Sequence, residues 1–472
     1  MNQPKKSTSL IAMKFGGTSV GSAERMQGVV EIIADQARHN QLVVVTSAMA
    51  GVTDKLLRAA SAASDGAGED WRELGRELTQ QHRQVAEQLL PAAEQSTVLL
   101  QLDEQLQHFE NLCSGFSLVR EVTPRALDAL SSIGEVLAAT LLAALLRARG
   151  VAAETVDAIA LIVTDDNFGD ATPFFDETRT RTRQCLLPLL DRGTLPVVTG
   201  FRAATRDGLA TTLGRGGSDY SATLVGTALD AEEIWIWTDV DGVMTADPRS
   251  VPAAHVLPEI SYREALEFSF FGAKVLHPKA IQPVMKKKIP LWIKNTFNRS
   301  CPGTKICESA VREKPGVRAI TSVCQTSLFT VSGKEVVRFA QLAAKVFHSL
   351  DLEEVATLMV TQSSADNVLS FAIHEEDALR VRRRLEKTFE LELLHGYLEP
   401  IEILSSVGIA VVIGENMKGT PGIAGRLFSA LGRRGVNVIA IAQGSSELSI
   451  SFAVKSSDVT EALQILHAEF QP

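Results

Sequence analysis

The segment Lys14-Phe15-Gly16-Gly17-Thr18-Ser19-Val20 places one cation and two glycines where an apolar strand, Leu10–Phe15, changes to helical spacing of apolar residues. Two adjacent glycines let the backbone turn tightly and expose its N–H groups, and these donors favour an anion next to a helix N-terminus. A lysine at the strand end adds a point charge for a phosphate. The simpler alternative is a strand–turn–helix connection whose lysine faces solvent, and seven residues alone leave both open.

A second polar segment, Thr211 to Tyr220, reads Thr-Thr-Leu-Gly-Arg-Gly-Gly-Ser-Asp-Tyr and precedes a predicted helix that starts near Ser221. An arginine fork within flexible glycine backbone suits the bidentate binding of a carboxylate. In the alternative interpretation, the glycines only permit a tight turn and Asp219 caps the helix. The strong bias of ten consecutive residues favours a binding site.

A third segment, Trp237–Arg249, follows the apolar strand Ile234–Trp237. Hydroxyl and carboxylate groups at a strand end, with an arginine ten residues later, could hold a nucleotide and orient its metal. The Asp-Val-Asp-Gly sequence that begins at Asp239 also occurs in calcium loops. Position twelve of such a loop would be Ser250 rather than the required glutamate, so we discount calcium.

A second lysine, Lys274, stands in the segment Phe271–Pro278. Together with Lys14 it could offset much of the charge of a triphosphate, whereas His277, next to a proline, is typical of a structural cap. The sequence contains no GxxxxGK[ST], no HRD with DFG and no HExxH. The chain is therefore neither a P-loop enzyme nor a protein kinase, and the segments together indicate phosphoryl transfer to an acid.

The elements that position these segments alternate between apolar strands and amphipathic helices over the first three hundred residues, which predicts an α/β fold with a largely parallel sheet covered on both faces. Ligands of such sheets bind at the carboxyl ends of the strands, where the polar segments lie. Gln-, Glu- and Leu-rich sequence from about 54 to 130 predicts a helical excursion. The candidate strands are Leu10–Phe15, Leu42–Thr46, Ile159–Val163, Leu195–Thr199, Ile234–Thr238 and Leu291–Lys294.

The last 150 residues contain a duplication, because a shift of 81 positions aligns Val331–Phe371 with Val412–Phe452 without a gap. Each copy has the pattern strand, helix, strand, Gln-Ser turn, strand, helix, which is typical of small α+β units. Two copies are too few for a solenoid, so we expect the units to pair their sheets. They could be packing modules alone, but Gln and Ser at the same place in both loops favour ligand binding.

The composition of the chain argues against several classes of protein. The 472 residues predict two to four domains, and a net charge of −9 argues against a nucleic-acid partner. No run approaches the roughly 18 apolar residues of a membrane span, and the polar start lacks the apolar segment of a secretory signal. The five cysteines form no CxxC pair, so neither a zinc site nor a disulfide framework is expected. We therefore expect a cytoplasmic protein.

The motifs, in this order, resemble those of aspartate kinases of the amino-acid-kinase superfamily, which carry tandem C-terminal ACT domains. The resemblance covers essentially residues 10 to 472 and rests on Lys14–Val20, Ser47–Asp54, Ile133–Glu135, Thr211–Asp219, Trp237–Arg249 and Phe271–Pro278. It implies a three-layer α/β/α core with a mainly parallel sheet, followed by two ferredoxin-like ACT units. We predict a flexible tail at 1–9, a catalytic domain at 10–310, and ACT-like units at 320–400 and 401–472.

The resemblance also assigns residues to roles. The catalytic residues would be Lys14, Gly17, Asp219 and Lys274. The aspartate-binding residues would be Thr53, Glu135, Arg215, Gly216, Gly217 and Ser218, with Arg215 on the α-carboxylate and Glu135 near the ammonium. The ATP-binding residues would be Lys14, Phe15, Gly16, Gly17, Thr238, Asp239, Met244, Arg249 and Lys274. The effector-binding residues would be Gln362, Asn437 and Gln443, and no residue is assigned as a metal ligand.

The implied reaction is the ATP- and Mg²⁺-dependent phosphorylation of the β-carboxylate of L-aspartate, the first step towards lysine, threonine and methionine. This carboxylate has a solution pKa of about 3.9 and is already ionised at pH 7, so no general base is needed. Because ACT units complete their sheets against one another, we expect a homodimer or homotetramer. Neither a nucleic acid nor a membrane is expected as a partner.

The second copy, around Ile441–Glu447, is closest to threonine-sensitive kinases of the family, including those fused to homoserine dehydrogenase. No dehydrogenase follows Pro472, so we expect a monofunctional enzyme regulated by threonine or lysine. The first copy departs from the pattern, since Arg338 and Gln341 stand where the second copy has Gly419 and Gly422. Met244 also stands where relatives often have an aromatic residue, so this position offers no ring to stack on adenine.

Two alternatives remain open from the sequence. The same core serves acetylglutamate, glutamate, carbamate and uridylate kinases, although the ACT-like tail and Thr211–Asp219 argue against them. The chain could instead be an idle amino-acid sensor with a degraded kinase core. This second alternative is disfavoured because a decayed site would not keep all of Lys14, Glu135, Arg215, Asp239 and Lys274.

Overall fold

The computed structural model describes residues 9–271, 276–308, 316–334, 337–363, 367–417 and 419–472, with the backbone alone for residue 416. The chain divides into two units. The core unit comprises Met1–Val243, Pro258–Tyr262 and Lys274–Ala310, and the duplicated unit comprises Met244–Leu257, Arg263–Ala273 and Val311–Pro472.

The helices and strands of the described residues follow one another along the chain. In chain order they are β1 (Leu10–Phe15), α1 (Ala23–Gln36), β2 (Gln41–Thr46), α2 (Val52–Asp65), α3 (Gly68–Leu89), α4 (Ala92–Val119), α5 (Pro124–Ser131), α6 (Ile133–Ala148), β3 (Ala153–Val156), β4 (Val163–Thr164), α7 (Phe175–Asp191), β5 (Leu195–Thr199), β6 (Arg202–Thr205), β7 (Ala210–Thr212), α8 (Gly217–Ala228), β8 (Glu233–Thr238), β9 (Glu259–Ser261), α9 (Tyr262–Phe270), α10 (Pro278–Lys287), β10 (Leu291–Asn295), β11 (Thr304–Cys307), β12 (Ala319–Ser332), α11 (Phe339–Leu352), β13 (Met359–Ser363), β14 (Val368–His374), α12 (Ala378–Thr388), α13 (Glu390–Leu394), β15 (Glu402–Ile413), α14 (Ile423–Arg433), β16 (Ala440–Gln443), β17 (Ser449–Lys455) and α15 (Val459–Phe470).

The main sheet of the core unit has the strand order β3-β5-β2-β1-β8-β10-β11-β9. All of its neighbouring pairs are parallel except β10 with β11, which confirms the predicted α/β class and its mainly parallel sheet. In register, Phe15 lies between Thr46 and Trp237. The ends of β1, β2 and β8 therefore meet at one edge, which is where ligands of such sheets bind.

The alternation of side chains along β1 decides which helix each residue faces. Ile11, Met13 and Phe15 belong to the large apolar core that also contains the buried face of α1. On the opposite face a Cβ added to Gly226 of α8 would lie 3.1 Å from Cβ of Ala12, so α8 approaches the sheet closely there. Lys14 shares the face of Ala12, and its side chain is therefore directed to the α8 side.

Five of the six predicted strands are present, but the prediction of a strand at Ile159–Val163 is wrong. Asp157 accepts a hydrogen bond from Ile159 N (3.1 Å) and caps a 3₁₀ turn at Ala158–Ala160, leaving only the two residues of β4 extended. One edge strand of the main sheet is β3, just upstream. A continuous apolar run does not reveal by period alone that a capped turn interrupts it.

The segment from about 54 to 130 contains the long helices α3 and α4, which pack with α2 and α6 around Trp71, Phe109 and Phe116. One helical stretch of the described residues, Pro124–Ala148, has the length and apolar composition of a membrane span, which corrects the expectation that no segment approaches one. Within its most apolar window 83% of the residues are buried inside the protein. This degree of burial is typical of a core helix.

The duplicated unit contains one six-stranded sheet with the order β13-β14-β12-β15-β17-β16, in which all pairs are antiparallel. The shift of 81 residues superposes β14 on β17 and the start of α12 on the start of α15. Each copy has its own apolar core, around Phe371 in the first and Phe452 in the second. The two predicted α+β units are thus confirmed, joined through the central pair β12 and β15.

Candidate active site

A cleft of about 620 Å³ opens at the carboxyl edge of the main sheet of the core unit. Its walls come from the turns after β1, β2, β5 and β8 and from the first turns of α2, α6 and α8. The lining residues are Lys14, Gly17, Thr18, Ser47, Ala48, Met49, Ala50, Gly51, Thr53, Asp54, Glu135, Phe201, Gly214, Arg215, Gly216, Gly217, Ser218, Asp219, Thr238 and Asp239.

The cation of the cleft is fixed by an ion pair between distant parts of the chain. Lys14 Nζ lies 2.5 Å from Asp219 Oδ1, and the two side chains are only 10% and 14% exposed. Asp219 stands in the first turn of α8, the helix that packs against the Lys14 face of β1. Because water is largely excluded, this pair interacts more strongly than a surface pair would and holds the ammonium in one position.

Two glycines of the cleft leave no room for a side chain. Gly216 has φ +72°, and a Cβ there would lie 2.3 Å from Cβ of His277, while a Cβ on Gly17 would lie 2.8 Å from the carbonyl oxygen of Ala48. His277 accepts a hydrogen bond from Lys279 N and thus caps α10, in line with the interpretation from sequence. The glycines are required because a side chain at Gly216 and a backbone carbonyl at Gly17 lie too close for a Cβ atom.

Backbone N–H groups without acceptors surround the same space. Both α2 and α8 begin after a glycine in the left-handed region, Gly51 (φ +77°) and Gly216, and neither helix has a side-chain cap. Within the described residues, the amides of Thr53 and Ser218 in the first turns have no hydrogen-bond acceptor. Uncapped helix N-termini bind anions through these donors and the helix dipole.

Glu135, at the start of α6, is the buried carboxyl group of the cleft. Its Oε1 accepts a hydrogen bond from Ala48 N (3.2 Å), and its Oε2 accepts none from any residue that the structure describes. Burial raises the pKa of Glu135 to about 8, although the Ala48 amide and the nearby Arg202 act in the opposite direction. A cationic partner in the cleft would stabilise the ionised form of this buried carboxyl group.

Arg215, by contrast, is exposed at the rim of the cleft. Its guanidinium forms no ion pair or hydrogen bond with the rest of the described chain. It is therefore available for a ligand carboxylate. Thr53 lines the same cleft, as does Ser218, whose neighbour across the cleft wall is Gly200.

The residues predicted for the nucleotide fall into four groups, two of which lie at the strand ends of the core unit. Thr238 and Asp239 line the cleft, with Thr238 Oγ1 donating to Asp239 Oδ1 (3.2 Å). Phe15 stacks on Trp237 with ring centroids 5.9 Å apart, and Gly16 N donates to the carbonyl of Trp237 (3.2 Å), so both support the strand end.

The remaining nucleotide candidates lie elsewhere in the chain. Met244 and Arg249 belong to the duplicated unit, where Met244 bridges to Val256 and Arg249 pairs with Asp247 (2.7 Å). Lys274 lies outside the described residues.

One residue that lines the cleft, Phe201, escaped the sequence analysis. Its backbone has φ +63°, an unusual conformation for a side-chain-bearing residue. The position of Phe201 after strand β5 and Gly200 was the available signal.

The buried Asp128 also escaped, and it supports the glycine-rich segment. It accepts hydrogen bonds from Thr212 N (2.9 Å), Thr212 Oγ1 (2.8 Å) and Gly169 N (2.9 Å). Nothing in the local sequence around Asp128 indicates these partners.

The effector candidates are exposed in the duplicated unit. Gln362 on β13 lines a cavity of about 530 Å³ together with Ile439 and Ala440, whereas Asn437 and Gln443 do not line it.

The two copies differ at the start of their first helices. In the second copy Gly422 (φ +91°) caps α14. In the first copy α11 already begins at Phe339, with Arg338 in an ordinary extended conformation and Gln341 inside the helix.

Comparison with known proteins matches one family model to the first part of the chain and another to each of the two C-terminal copies. The model of the amino acid kinase family matches residues 9–295, and that of the ACT domain matches 329–389 and 411–470. The bifunctional aspartokinase/homoserine dehydrogenase of Buchnera aphidicola subsp. Acyrthosiphon pisum (strain APS) is 32% identical over 476 residues, covering 96% of this chain and 56% of that protein. Aspartokinase 1, chloroplastic, of Arabidopsis thaliana is 32% identical, with 97% and 79% covered.

The solved structures that resemble this chain are also aspartokinases. The crystal structure of E. coli aspartokinase III in complex with aspartate and ADP has a TM-score of 0.82 and 28% identity, covering 98% of this chain and 100% of that chain. The complex of the same enzyme with lysine and aspartate has a TM-score of 0.82, 29% identity and the same coverage. The chain spans about half the length of the bifunctional relatives that it matches.

Proposed function

Because the chain belongs to the amino acid kinase family and, within it, to the aspartokinases, we propose that it transfers the γ-phosphoryl group of ATP to the β-carboxylate of L-aspartate. The product would be 4-phospho-L-aspartate. The observation that carries this proposal is one cleft of the core unit that combines a fixed cation, unpaired N–H donors, a buried carboxyl group and an unpaired arginine.

These groups match the charges of the proposed substrate. Aspartate carries one ammonium and two carboxylates, and Glu135 offers the cleft a buried carboxyl oxygen, Oε2, that has neither a hydrogen-bond nor an ion-pair partner within the described chain. Arg215 at the rim suits the α-carboxylate because a guanidinium fork binds a carboxylate through two parallel hydrogen bonds. The β-carboxylate would then point towards Lys14 and the uncapped N-termini of α2 and α8.

Phosphoryl transfer from this arrangement requires positioning and charge stabilisation. The nucleophile is ionised at neutral pH, so the protein has to hold two anions in line and stabilise the charge that spreads over the migrating group. Lys14, held by Asp219, and the free amides would supply fixed positive potential at that point. Asp219 acts through Lys14, because it fixes the ammonium in position.

ATP is the proposed phosphoryl donor, which the ADP complex of the E. coli relative supports. Thr238 and Asp239 would contact it from the core unit, and we keep Met244, Arg249 and Lys274 as candidates. No group of three or more His, Cys, Asp or Glu side chains among the described residues forms a metal cage. Mg²⁺ would arrive on the phosphates of the nucleotide and keep most of its waters, with Asp239 as a carboxylate that the cleft offers.

Regulation through the duplicated unit is part of the proposal. The E. coli relative has been solved with lysine, and the second copy of this chain resembles threonine-sensitive members, so threonine and lysine are the two candidate effectors. We propose the second copy as the binding copy, since its first helix starts after a left-handed glycine. The activity would serve the aspartate-derived amino acids in the cytoplasm, in a homodimer or homotetramer.

An ATP-dependent hydroxamate assay with aspartate tests the proposal, because acyl phosphates react with hydroxylamine. A panel of glutamate, N-acetylglutamate, carbamate and UMP, coupled to ADP release, distinguishes the other kinases of the family. Aspartate-dependent turnover that is lost in Lys14→Ala supports the proposal. Binding of an amino acid without turnover of any substrate would instead identify an idle sensor.

A further inference from the structure

Asp241 stands in the β8 loop, residues 238–243, two residues beyond Asp239 of the cleft. Its Oδ1 accepts one hydrogen bond from Asn295 Nδ2 (2.7 Å) and another from Asn298 Nδ2 (3.0 Å). A carboxylate oxygen has two lone pairs, so it satisfies both amides, and its charge makes these bonds stronger than bonds between neutral groups. The second carboxylate of the Asp-Val-Asp-Gly sequence is thus bound by the protein itself.

Both amides belong to the β10–β11 segment, residues 295–304, which holds the β8 loop at two further points. Thr296 N donates to the carbonyl of Thr238 (2.9 Å), and Val243 N donates to Thr304 Oγ1 (2.8 Å). The start, the middle and the end of the loop are therefore attached to one and the same segment.

The two asparagines are themselves oriented by their own segment. Asn295 is buried, and its Oδ1 accepts a hydrogen bond from Phe297 N (2.8 Å). Asn298 Oδ1 accepts one from Ser300 Oγ (2.7 Å). Because each amide oxygen is engaged within the segment, each NH₂ group is directed to the β8 loop, where the carboxylate accepts it.

The same segment also contacts the glycine-rich turn after β1. Thr296 Oγ1 lies 2.7 Å from Ser19 Oγ, and both side chains are buried. Ser19 N donates to the carbonyl of Gly16 (2.9 Å), and its neighbour Thr18 lines the cleft. The β10–β11 segment therefore fixes the β8 loop relative to the turn that would hold the phosphates.

The part of the β8 loop between its first two attachments faces the cleft and the solvent. Thr238 and Asp239 line the cleft, and both Asp239 and Val240 are exposed. A short exposed loop samples several conformations unless the protein restrains it. If the loop is already held in the bound conformation, binding does not have to order it, and the affinity for the ligand is higher.

We propose that Asp241, held by Asn295 and Asn298, is a positioning residue for the nucleotide: it keeps the β8 loop in the conformation that presents Thr238 and Asp239 to ATP or ADP. This inference rests on the proposed function, because it takes these two residues as nucleotide contacts. Asp241 itself touches neither substrate in this scheme. It therefore sets the affinity for the nucleotide more than the affinity for aspartate.

The test compares wild type with Asp241→Ala, which removes the acceptor of both amides. Calorimetry with ADP and Mg²⁺, without aspartate, gives the Kd for ADP, and steady-state kinetics gives the KM for ATP and for aspartate. We expect the Kd for ADP and the KM for ATP to rise about tenfold, while the KM for aspartate and the kcat at saturating ATP stay within about threefold. Asp207→Ala removes an exposed carboxylate from the turn between β6 and β7, and as the control it should leave all four values unchanged.

A rescue experiment tests the hydrogen bonds one by one. Asp241→Asn keeps an oxygen that can accept from both amides, so the Kd for ADP should stay within about threefold of wild type. Asn295→Asp places two carboxylates against each other and should raise the Kd about tenfold or more. Adding Asp241→Asn to Asn295→Asp restores a donor opposite an acceptor and should recover most of the affinity. Absence of recovery in this double variant overturns the inference.

Folding of each variant is followed by circular dichroism. Asn298→Ala removes only one of the two bonds, from a half-buried position, and carries the test if Asp241→Ala does not fold. We expect its Kd for ADP to rise about threefold with an unchanged KM for aspartate. An unchanged Kd for ADP in the folded variants, or equal losses of affinity for ADP and aspartate, overturns the inference.

Failure of this inference can be distinguished from failure of the proposed function. If the wild type binds ADP but forms no acyl phosphate from aspartate, the proposed function fails, while weaker binding of ADP by Asp241→Ala still supports the role of Asp241. If turnover is normal and Asp241→Ala binds ADP as the wild type does, only the inference about Asp241 fails. Absence of ADP binding by the wild type overturns both.

Discussion

Gly216 in the cleft and Gly422 in the second ACT-like copy have the same local role in two regions of the molecule. Each precedes a helix, α8 or α14, and each has a backbone in the left-handed region, with φ +72° and φ +91°. At Gly216 a Cβ would overlap His277, whereas at Gly422 no described atom beyond the adjacent residues lies within 4 Å of the Cβ position. Close packing therefore leaves no room for a side chain at Gly216. At Gly422 the described part of the loop leaves open space above the backbone.

The exposure of charged side chains also differs between the two regions. The Lys14–Asp219 pair and Glu135 are buried in the cleft. In the duplicated unit, pairs such as Arg382–Glu386 are about half exposed. Since exposed pairs contribute little to stability, substitutions in the cleft should have large effects and those in the duplicated unit small or regulatory ones.

The largest expected effect is that of Lys14→Ala. Loss of the cation that stabilises the migrating phosphoryl group should lower kcat roughly a hundred- to a thousand-fold, while the fold is retained. Steady-state kinetics with aspartate, together with circular dichroism, measures this. Lys345→Ala, which removes a lysine from the surface of the duplicated unit, is the control and should retain full activity. Normal turnover by Lys14→Ala would exclude this lysine from the reaction.

Gly216→Ala and Gly422→Ala form a matched pair that separates conformation from space. Both introduce a side chain in the left-handed region, which costs about 1 kcal/mol. Gly216→Ala also forces an overlap, so we expect a total of roughly 3 kcal/mol from its urea unfolding curve and a loss of aspartate turnover. Equal losses of stability in the two variants would show that space at Gly216 does not matter.

The stability of the protein should depend on pH through Glu135. The pKa of Glu135 is raised to about 8 in the folded state from an ordinary value of 4.5, so between these values the folded state binds more protons than the unfolded state. The free energy of unfolding therefore falls as pH rises through this window, by about 1.4 kcal/mol per pH unit.

Urea unfolding of wild type and Glu135→Gln at pH 6 and 7.5 measures this contribution. The wild type should lose about 2 kcal/mol more than the variant between the two pH values, and contributions from other groups cancel in the difference. Identical pH slopes for the two proteins would mean that Glu135 is already ionised in the folded state.

The smallest effect is expected in regulation. If the open backbone above Gly422 receives the effector, Gly422→Ala should raise the concentration of threonine or lysine needed for half inhibition by about tenfold, with little change of uninhibited kcat. Arg338→Ala, at the corresponding loop of the first copy, should leave inhibition unchanged. Titration of both amino acids, singly and together, measures this, and equal responses of the two variants would remove the distinction between the copies.

Local sequence patterns were sufficient to predict most of the strands of the core and the two repeated units. The period of apolar residues predicts β1 and β5 with their observed bounds, and the shift of 81 residues predicts two equivalent units because equal sequences form equal local structures. The composition of the glycine-rich segments also predicts that they lie at the ends of strands. Of the six predicted strands only Ile159–Val163 failed, where a side-chain cap from Asp157 ends the extended backbone.

The tertiary structure alone decided which of these groups meet. The pairing of Lys14 with Asp219 follows from the face of β1 on which α8 packs, and the raised pKa of Glu135 follows from its burial. Asp241 meets Asn295 and Asn298, which lie 54 and 57 residues further along the chain. Pairing and desolvation depend on distances in space, which the order of residues along the chain does not contain.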